Sequence, residues 1–281
     1  MPSVLVTGAA RGIGRAIALQ LAADGWEVHA GVRRPADGEA LTTAAGPGAR
    51  LAPVLLDVTD AAQLASLPDA LPERLDALVN NAGIAVGGPV EGIGLDALRH
   101  QLEVNVVGPV AVAQAALPAL RAARGRIVFI SSIGGRVTSP MLGAYSASKY
   151  GIEALADALR VELRPWDVKV ALVEPGAIDT DMWRGAMDTA DATEASLTPE
   201  HRDLYAAHLK GMRGFIKRVQ KQTIPPQKVV DVVLRALTSD RPRARYVVGT
   251  DARVQLAMST ALPTPAMDAA VGKLMGLGRP D

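Results

Sequence analysis

Cysteine is absent from the 281 residues, which excludes disulfides, thiolate metal sites and a cysteine nucleophile. An excess of charge of either sign is absent too: 30 Lys and Arg face 29 Asp and Glu, for a formal net charge of +1. A nucleic-acid footprint normally shows as a basic excess clustered on one face, so no nucleic-acid partner is expected. Aromatic residues make up only 3% of the chain, and no function follows from their scarcity. Long apolar runs are missing as well. The best candidate, 104–120, is interrupted by Asn105, Gly108, Pro109, Gln114 and Pro118, and reads as too short and too broken to span a bilayer. The first apolar run, Val4-Leu5-Val6, begins almost at Met1 and leads straight into glycines. That leaves no room for a secretory signal, and a cytoplasmic chain is expected.

What is present is ample core. Apolar residues are 49% of the chain, enough for one large α/β domain over 1–281. Short β-branched runs at 3–7, 27–33, 51–56, 77–80, 126–131, 168–174 and 245–248 alternate with helical periodicity, including long helical stretches at about 95–122 and 145–163. In the first helix Ile13, Ile17 and Leu21 repeat at four-residue spacing before Gly25. Such alternation predicts a doubly wound parallel sheet of about seven strands with helices on both faces. Ligands of such sheets bind at the carboxyl edge of the strands. Two segments depart from the pattern. Residues 179–222 form an insertion too long for a plain loop, expected to be a lid or substrate wall; Met182, Trp183, Met187, Met212 and Phe215 give it an apolar component. The tail 251–281 carries Met267, Ala270, Val271, Leu274 and Met275 at helical spacing. It is expected to dock on the core or on a partner subunit, without a firm membrane signal.

Between the first strand and first helix stands Thr7-Gly8-Ala9-Ala10-Arg11-Gly12-Ile13-Gly14. Glycines there let the backbone turn sharply and approach a pyrophosphate, and the start of the helix favours the anion. A dinucleotide is the expected ligand. The end of the second strand reads Val32-Arg33-Arg34, without the carboxylate that grips a free ribose 2′-hydroxyl. Arg33, together with Arg11, suits a 2′-phosphate, so NADP is expected in preference to NAD. Arg34 reads as a solvent-facing charge.

Tyr145 and Lys149 lie one helical turn apart on one face, with Ser132 thirteen residues upstream of the tyrosine. A nearby cation favours the phenolate, and a serine hydroxyl beside it would help polarise a carbonyl. His201 and His208 sit two turns apart, too far to share an ion, and no metal site is expected. For Ser131 and Ser148, backbone hydrogen bonding is the better reading.

With the glycine loop and the Ser–Tyr–Lys set in view, the chain resembles the short-chain dehydrogenase/reductase family. Asp57-Val58, Asn80-Asn81-Ala82-Gly83, Asn105, Pro175-Gly176 and Thr180 follow in the family's order. The resemblance implies a Rossmann-type single domain in which Tyr145 is the general acid or base. Lys149 would tune it and hold the nicotinamide ribose, Ser132 would orient the substrate oxygen, and Asn105 would help hold a relay water. It also implies adenine contacts at Asp57 and Val58, cofactor contacts at Asn81, Ala82 and Gly83, and nicotinamide contacts at Pro175, Gly176, Ile178 and Thr180. The expected substrate is a ketone or aldehyde and its alcohol, probed as a lipophilic small molecule because the part after Thr180 is similar to hydroxysteroid and retinol dehydrogenase-like members. A homodimer or homotetramer through 111–120 and 154–163 is implied in the same way. A quinone or polyketide-type reductase and a dinucleotide-sensing scaffold stay open as alternatives.

Overall fold

A computed structural model describes residues 1–277; the last four residues of the expected tail, 278–281, lie outside the described part. Seven strands form one sheet: β1 (Ser3–Val6), β2 (Glu27–Val32), β3 (Leu51–Leu55), β4 (Ala77–Asn80), β5 (Arg126–Ile130), β6 (Lys169–Pro175) and β7 (Arg245–Val248). Their spatial order is β3-β2-β1-β4-β5-β6-β7, and every pairing is parallel. Strand order reverses between β1 and β4, which opens a crevice at the carboxyl edge.

Helix α1 (Gly12–Ala23) joins β1 to β2, α2 (Pro35–Ala45) joins β2 to β3, and the short α3 (Ala61–Ser66) precedes β4. Then come α4 (Leu95–Leu102), a π-helical turn at Glu103–Val107, and α5 (Gly108–Ala123). After β5 follows α6 (Gly143–Glu162). The long segment beyond β6 folds into α7 (Asp181–Arg184), α8 (Ala186–Ser196), α9 (Pro199–Leu204) and α10 (Ala206–Gln220). Helix α11 (Gln227–Thr238) leads to β7, and α12 (Thr250–Ala261) and α13 (Thr264–Leu274) complete the described chain.

The period of two along each strand divides the core between two faces. Val4 and Val6 of β1 join Ile17 and Leu21 of α1 and Val229 and Val233 of α11 on one side. Leu5 points the other way, to Val112, Ala116 and Leu120 of α5 and Ile152 and Ala156 of α6. Burial of one such aliphatic side chain stabilises by about 1.5–3 kcal/mol, so the two layers together fix the sheet edge that carries the site.

The long helix expected at about 95–122 is present, and one expectation about it needs correction: by length and composition the apolar stretch 104–120 is not too short and too broken to span a bilayer. It lies in a continuous helical run, Leu95–Ala123, of 29 residues whose most apolar window has mean hydropathy 1.4, long and apolar enough to cross a membrane. Gly108 and Pro109 open α5 rather than ending α4, because proline's missing N–H does no harm in a first turn. This helix lies against the sheet, with Val112, Ala113, Ala116 and Leu120 buried. The tail folds as the two helices α12 and α13. In α13 Met267 packs towards Ile133, Val137 and Ala252, and Met275 just beyond it is buried among Leu209, Met212 and Ile216 of α10.

Candidate active site

The glycine loop is shaped by what its residues leave out. Gly8 and Gly12 sit at φ +63° and +55°, in the left-handed region that disfavours side chains. A Cβ on Gly8 would stand 2.9 Å from the Ala82 Cα, and one on Gly14 would overlap Asn81 and the Gly8 carbonyl. The turn after β4 therefore braces the loop. The Thr7 hydroxyl accepts from the Asn81 and Ala82 N–H groups, both at 3.0 Å, and Asn81 Nδ2 donates to the Thr7 and Gly8 carbonyls at 3.0 and 3.2 Å. Thr7 is a site residue that sequence reasoning did not single out. Helix α1 starts without a side-chain cap and with no acidic residue in its first turn, so its first amides are available to an anion. Thr180 leans onto the same loop: a Cβ on Gly12 would lie 3.6 Å from its side chain.

Arg11 and Arg33 are exposed, and both act on the carboxylate of Asp37. That carboxyl is held below its usual range first by its hydrogen bond with Arg34, with Arg33 and Arg11 adding to the effect. Arg34 is occupied by Asp37 at 2.7 Å, which leaves Arg33 beside it at the end of β2 and Arg11 at the start of α1. Asp57 accepts from the Thr59 N–H at 3.0 Å and hydroxyl at 2.8 Å. Burial pushes its carboxyl up, but the two Thr59 bonds, together with the charges of Arg33 and His100, more than offset this. Val58 beside it is buried against Gly108, where a Cβ would meet it at 2.7 Å.

Tyr145 and Lys149 both lie in the first half of α6, and Ser132 heads the turn after β5. The Ser132 hydroxyl accepts the Gly134 N–H at 3.0 Å and donates to the Pro175 carbonyl at 3.5 Å. Burial raises the Tyr145 phenol above its ordinary value, and the Ser132 hydroxyl only partly opposes this. Lys149 does not lower it here. Its Nζ stands 5.8 Å from the centre of the Tyr145 ring and donates to the Ile130 carbonyl at 2.9 Å. The lysine is 7% exposed; burial brings it down to about 8, against the pull of Glu153. The spacing-based picture of a cation directly depressing the phenol is thus replaced by one in which both groups are shifted mainly by desolvation.

Asn105 sits in the π-helical turn, 2% exposed. Its Oδ1 accepts the Ile84 N–H at 2.9 Å, and its Nδ2 donates to the Ile84 carbonyl at 2.9 Å and the Ser148 hydroxyl at 3.1 Å. Both amide donors are thereby used within the protein. Gln101, one turn earlier and fully buried, repeats the clamp, with Nε2 on Ile84 O at 3.0 Å and Ser148 Oγ at 3.2 Å. Ser148 in turn donates to the Tyr145 carbonyl at 2.6 Å. Its backbone bond is as expected, but it is also the hub joining α4 to α6. The buried Ser131 hydroxyl has no hydrogen-bond partner among the described residues, unlike the expectation.

At the end of β6 stands a further residue that sequence reasoning did not single out. Asp251, in the first turn of α12, accepts the Ala177 N–H at 2.9 Å, and its carboxylate fills the place a Gly176 side chain would need. Pro175, Gly176 and Ile178 are held in line: the Gly176 N–H donates to Val248 O at 2.9 Å, and Ile178 bridges to Ile224. An acidic residue in the first turn of a helix was the available signal for Asp251. In the insertion, Met212 is buried in a small core with Leu209, Ile216 and Met141, while Met187 and Phe215 pack against it. Met182 stands apart, 47% exposed. Gly83 abuts Asn105, where a Cβ would be 3.3 Å from Oδ1.

Comparison with known proteins agrees with this layout. A family model for short chain dehydrogenases matches residues 2–191. The chain is 36% identical over 277 residues to retinol dehydrogenase 5 of Mus musculus, covering 95% of this chain and 86% of that protein. It is 32% identical over 278 residues to an NADPH-dependent 3-dehydrocapnine reductase of Ornithobacterium rhinotracheale, covering 95% of each. Among solved structures, a short chain dehydrogenase of Burkholderia cenocepacia J2315 in complex with NADP superposes with TM-score 0.74 at 29% identity, over 96% of this chain and 97% of that one. Glycine cradle, switch-point crevice and sequence match lead to one conclusion: this chain belongs to the short-chain dehydrogenase family of oxidoreductases.

Proposed function

We propose that the protein is an NADP(H)-dependent oxidoreductase that interconverts a lipophilic ketone or aldehyde and its alcohol. The observation that carries this reading is the meeting of Ser132, Tyr145 and Lys149 with the glycine cradle on one sheet edge. The residues fit the dinucleotide. The cradle would be filled by any Cβ at Gly8 or Gly14, α1 offers free amides, and the exposed Arg11 and Arg33 would supply cations to a 2′-phosphate. A neighbouring family structure holds NADP, and a relative is named as NADPH-dependent, which supports the same choice.

NADPH, when bound, supplies the hydride. The work of the chain is to place and protonate. Ser132 orients the carbonyl oxygen by its hydroxyl, and Tyr145 gives that oxygen a proton as negative charge develops on it. In the alcohol-oxidising direction Tyr145 takes the proton back. Lys149 contributes its ammonium to the ribose hydroxyls and to the proton path beside Tyr145. Asn105, Gln101 and Ser148 hold α4 against α6, keeping Tyr145 at a fixed distance from Ser132. Thr180 and Ile178 hold the carboxamide end, backed by Asp251 through Ala177. Helices α7–α10 form the apolar wall over the substrate, since the segment begins at Thr180 and its core includes Met141, four residues before Tyr145. Exposed Val107, Tyr150, Val161 and Trp166 on and around α5 and α6 support a homo-oligomer through these helices.

Fluorescence titration with NADPH and NADH, followed by turnover of a panel of medium- and long-chain aldehydes and ketones, tests the proposal. Tighter NADPH binding and NADPH oxidation by lipophilic carbonyls are expected. Tighter NADH binding would refute the role of Arg11 and Arg33, and binding without turnover of any carbonyl would favour a sensing scaffold.

A further inference from the structure

Behind the Tyr145–Lys149 turn lies a group of buried charges that none of the roles above employs. Glu153 follows Lys149 by one turn on α6 and is 5% exposed; Glu174 immediately precedes Pro175 and is fully buried. Arg245 of β7 reaches both: its Nε donates to Glu153 Oε2 at 2.9 Å and lies 3.2 Å from Glu174 Oε1, while Nη2 donates to Asp157 at 2.6 Å. Arg136, just past the Ser132 turn, donates to Glu174 at 3.2 Å. The cluster thus joins α6, β6, β7 and the Ser132 turn, the elements that carry the reactive side chains and their floor. Gly135 seals it, since a Cβ there would lie 3.1 Å from Glu153 Cγ and from the Lys149 carbonyl. Glu153 Oε1 and Glu174 Oε2 are buried without a hydrogen-bond partner among the described residues.

As a mere structural tie this arrangement is poor. Desolvating ions is expensive, and a well-packed apolar group of similar size often serves stability as well or better. What distinguishes the cluster is its neighbour. The Lys149 ammonium is buried, its hydrogen bond goes to a neutral carbonyl, and a buried cation without counter-charge is disfavoured. Glu153 is the carboxylate whose charge reaches it. Arg245 fixes where that carboxylate points. We propose that Glu153, clamped by Arg245, is a positioning residue for Lys149, supplying the buried negative charge against which the lysine ammonium is held. The inference rests on the role given to Lys149 in carbonyl reduction, and it names Glu153 as what keeps that role available at neutral pH.

The groups facing the pair are Tyr145 and Asp157 from α6, Glu174 and Ser131 from β6 and the end of β5, Arg136 from the Ser132 turn, and Arg245 from β7. Glu174 is raised above the usual carboxylate range, first by burial and then by the Glu153 carboxylate. The signs follow. Glu153→Gln keeps the shape and removes the negative charge, so Lys149 must lose its proton at lower pH. Arg245→Gln removes a cation and leaves the carboxylates, so Lys149 must keep its proton to higher pH.

The test is a 13C NMR titration of cofactor-free protein labelled at lysine Cε, with the Lys149 signal assigned by its loss in Lys149→Arg. Wild type should titrate near 8. Glu153→Gln should move that midpoint down by about one pH unit or more, Arg245→Gln should move it up, and Glu153→Asp should restore it. The alkaline limb of kcat/KM with NADPH should shift in the same directions, whereas a purely structural tie would lower activity at every pH without moving the limb. A folded Glu153→Gln or Arg245→Gln protein with an unchanged Lys149 midpoint overturns the proposal, and either variant suffices if the other fails to fold. Shifted midpoints in a protein whose wild type reduces no carbonyl would uphold the electrostatic link and sink the reaction instead.

Discussion

The phosphate cradle and the reaction centre share one sheet edge but are built in opposite ways. The cradle is defined by missing atoms: Gly8, Gly12 and Gly14 leave room that Ala82, Asn81 and the loop's own carbonyls closely border. The centre is defined by side chains whose hydrogen bonds are nearly all taken up, with Asn105, Gln101 and Ser148 locked together beneath Tyr145. The first tolerates no addition, and the second tolerates no removal. Binding and chemistry should therefore respond to different kinds of substitution, with Lys149 as the one residue serving both.

The largest effect belongs at that shared residue. Lys149→Met should lower kcat/KM by about 1,000-fold, within the range of positioned proton-transfer groups, and also weaken NADPH binding. Steady-state kinetics with fluorescence titration checks it; a variant impaired in only one of the two would break the idea of a shared residue. Next comes the cofactor's far end. Arg33→Asp should invert the NADPH/NADH preference, changing the ratio of their Kd values by about 10- to 100-fold, because a charge-assisted pair becomes a repulsion. Turnover with whichever cofactor binds should survive. The smallest effect is expected from adding one methyl to the cradle. Gly14→Ala should cost about 1–3 kcal/mol of stability by overpacking, seen as a lower Tm, and should weaken NADPH without altering the pH profile of the remaining activity.

The same contrast explains what could be read from the sequence. The glycine loop was legible because its constraint is local: eight consecutive residues between a strand and a helix hold the whole turn. Strands were legible too, since β-branched runs such as 126–131 have few alternatives beside long helices. For the centre, spacing put Tyr145 and Lys149 on one helical face, but not where the ammonium goes. Its partner, Ile130, lies 19 residues away on another element. Asp251 and Gln101 were hidden for the same reason, as their contacts span 74 and 47 residues. The 29-residue helix was legible as a helix, but its apolar length was underrated because Gly108 and Pro109 look like breakers in sequence and act as a helix start in space. The packing of α7–α10 followed from no motif; apolar residues there showed only that something is covered, not that Met212 faces inward and Met182 outward.

The most direct test of the separation between cradle and centre is single-turnover oxidation of enzyme-bound NADPH by a carbonyl substrate, in wild type and Tyr145→Phe. Removing one oxygen leaves the cradle untouched and takes away the proton donor. The account predicts an unchanged NADPH Kd with hydride transfer slowed by about 100-fold or more. A phenylalanine variant that oxidises NADPH as fast as wild type would contradict it.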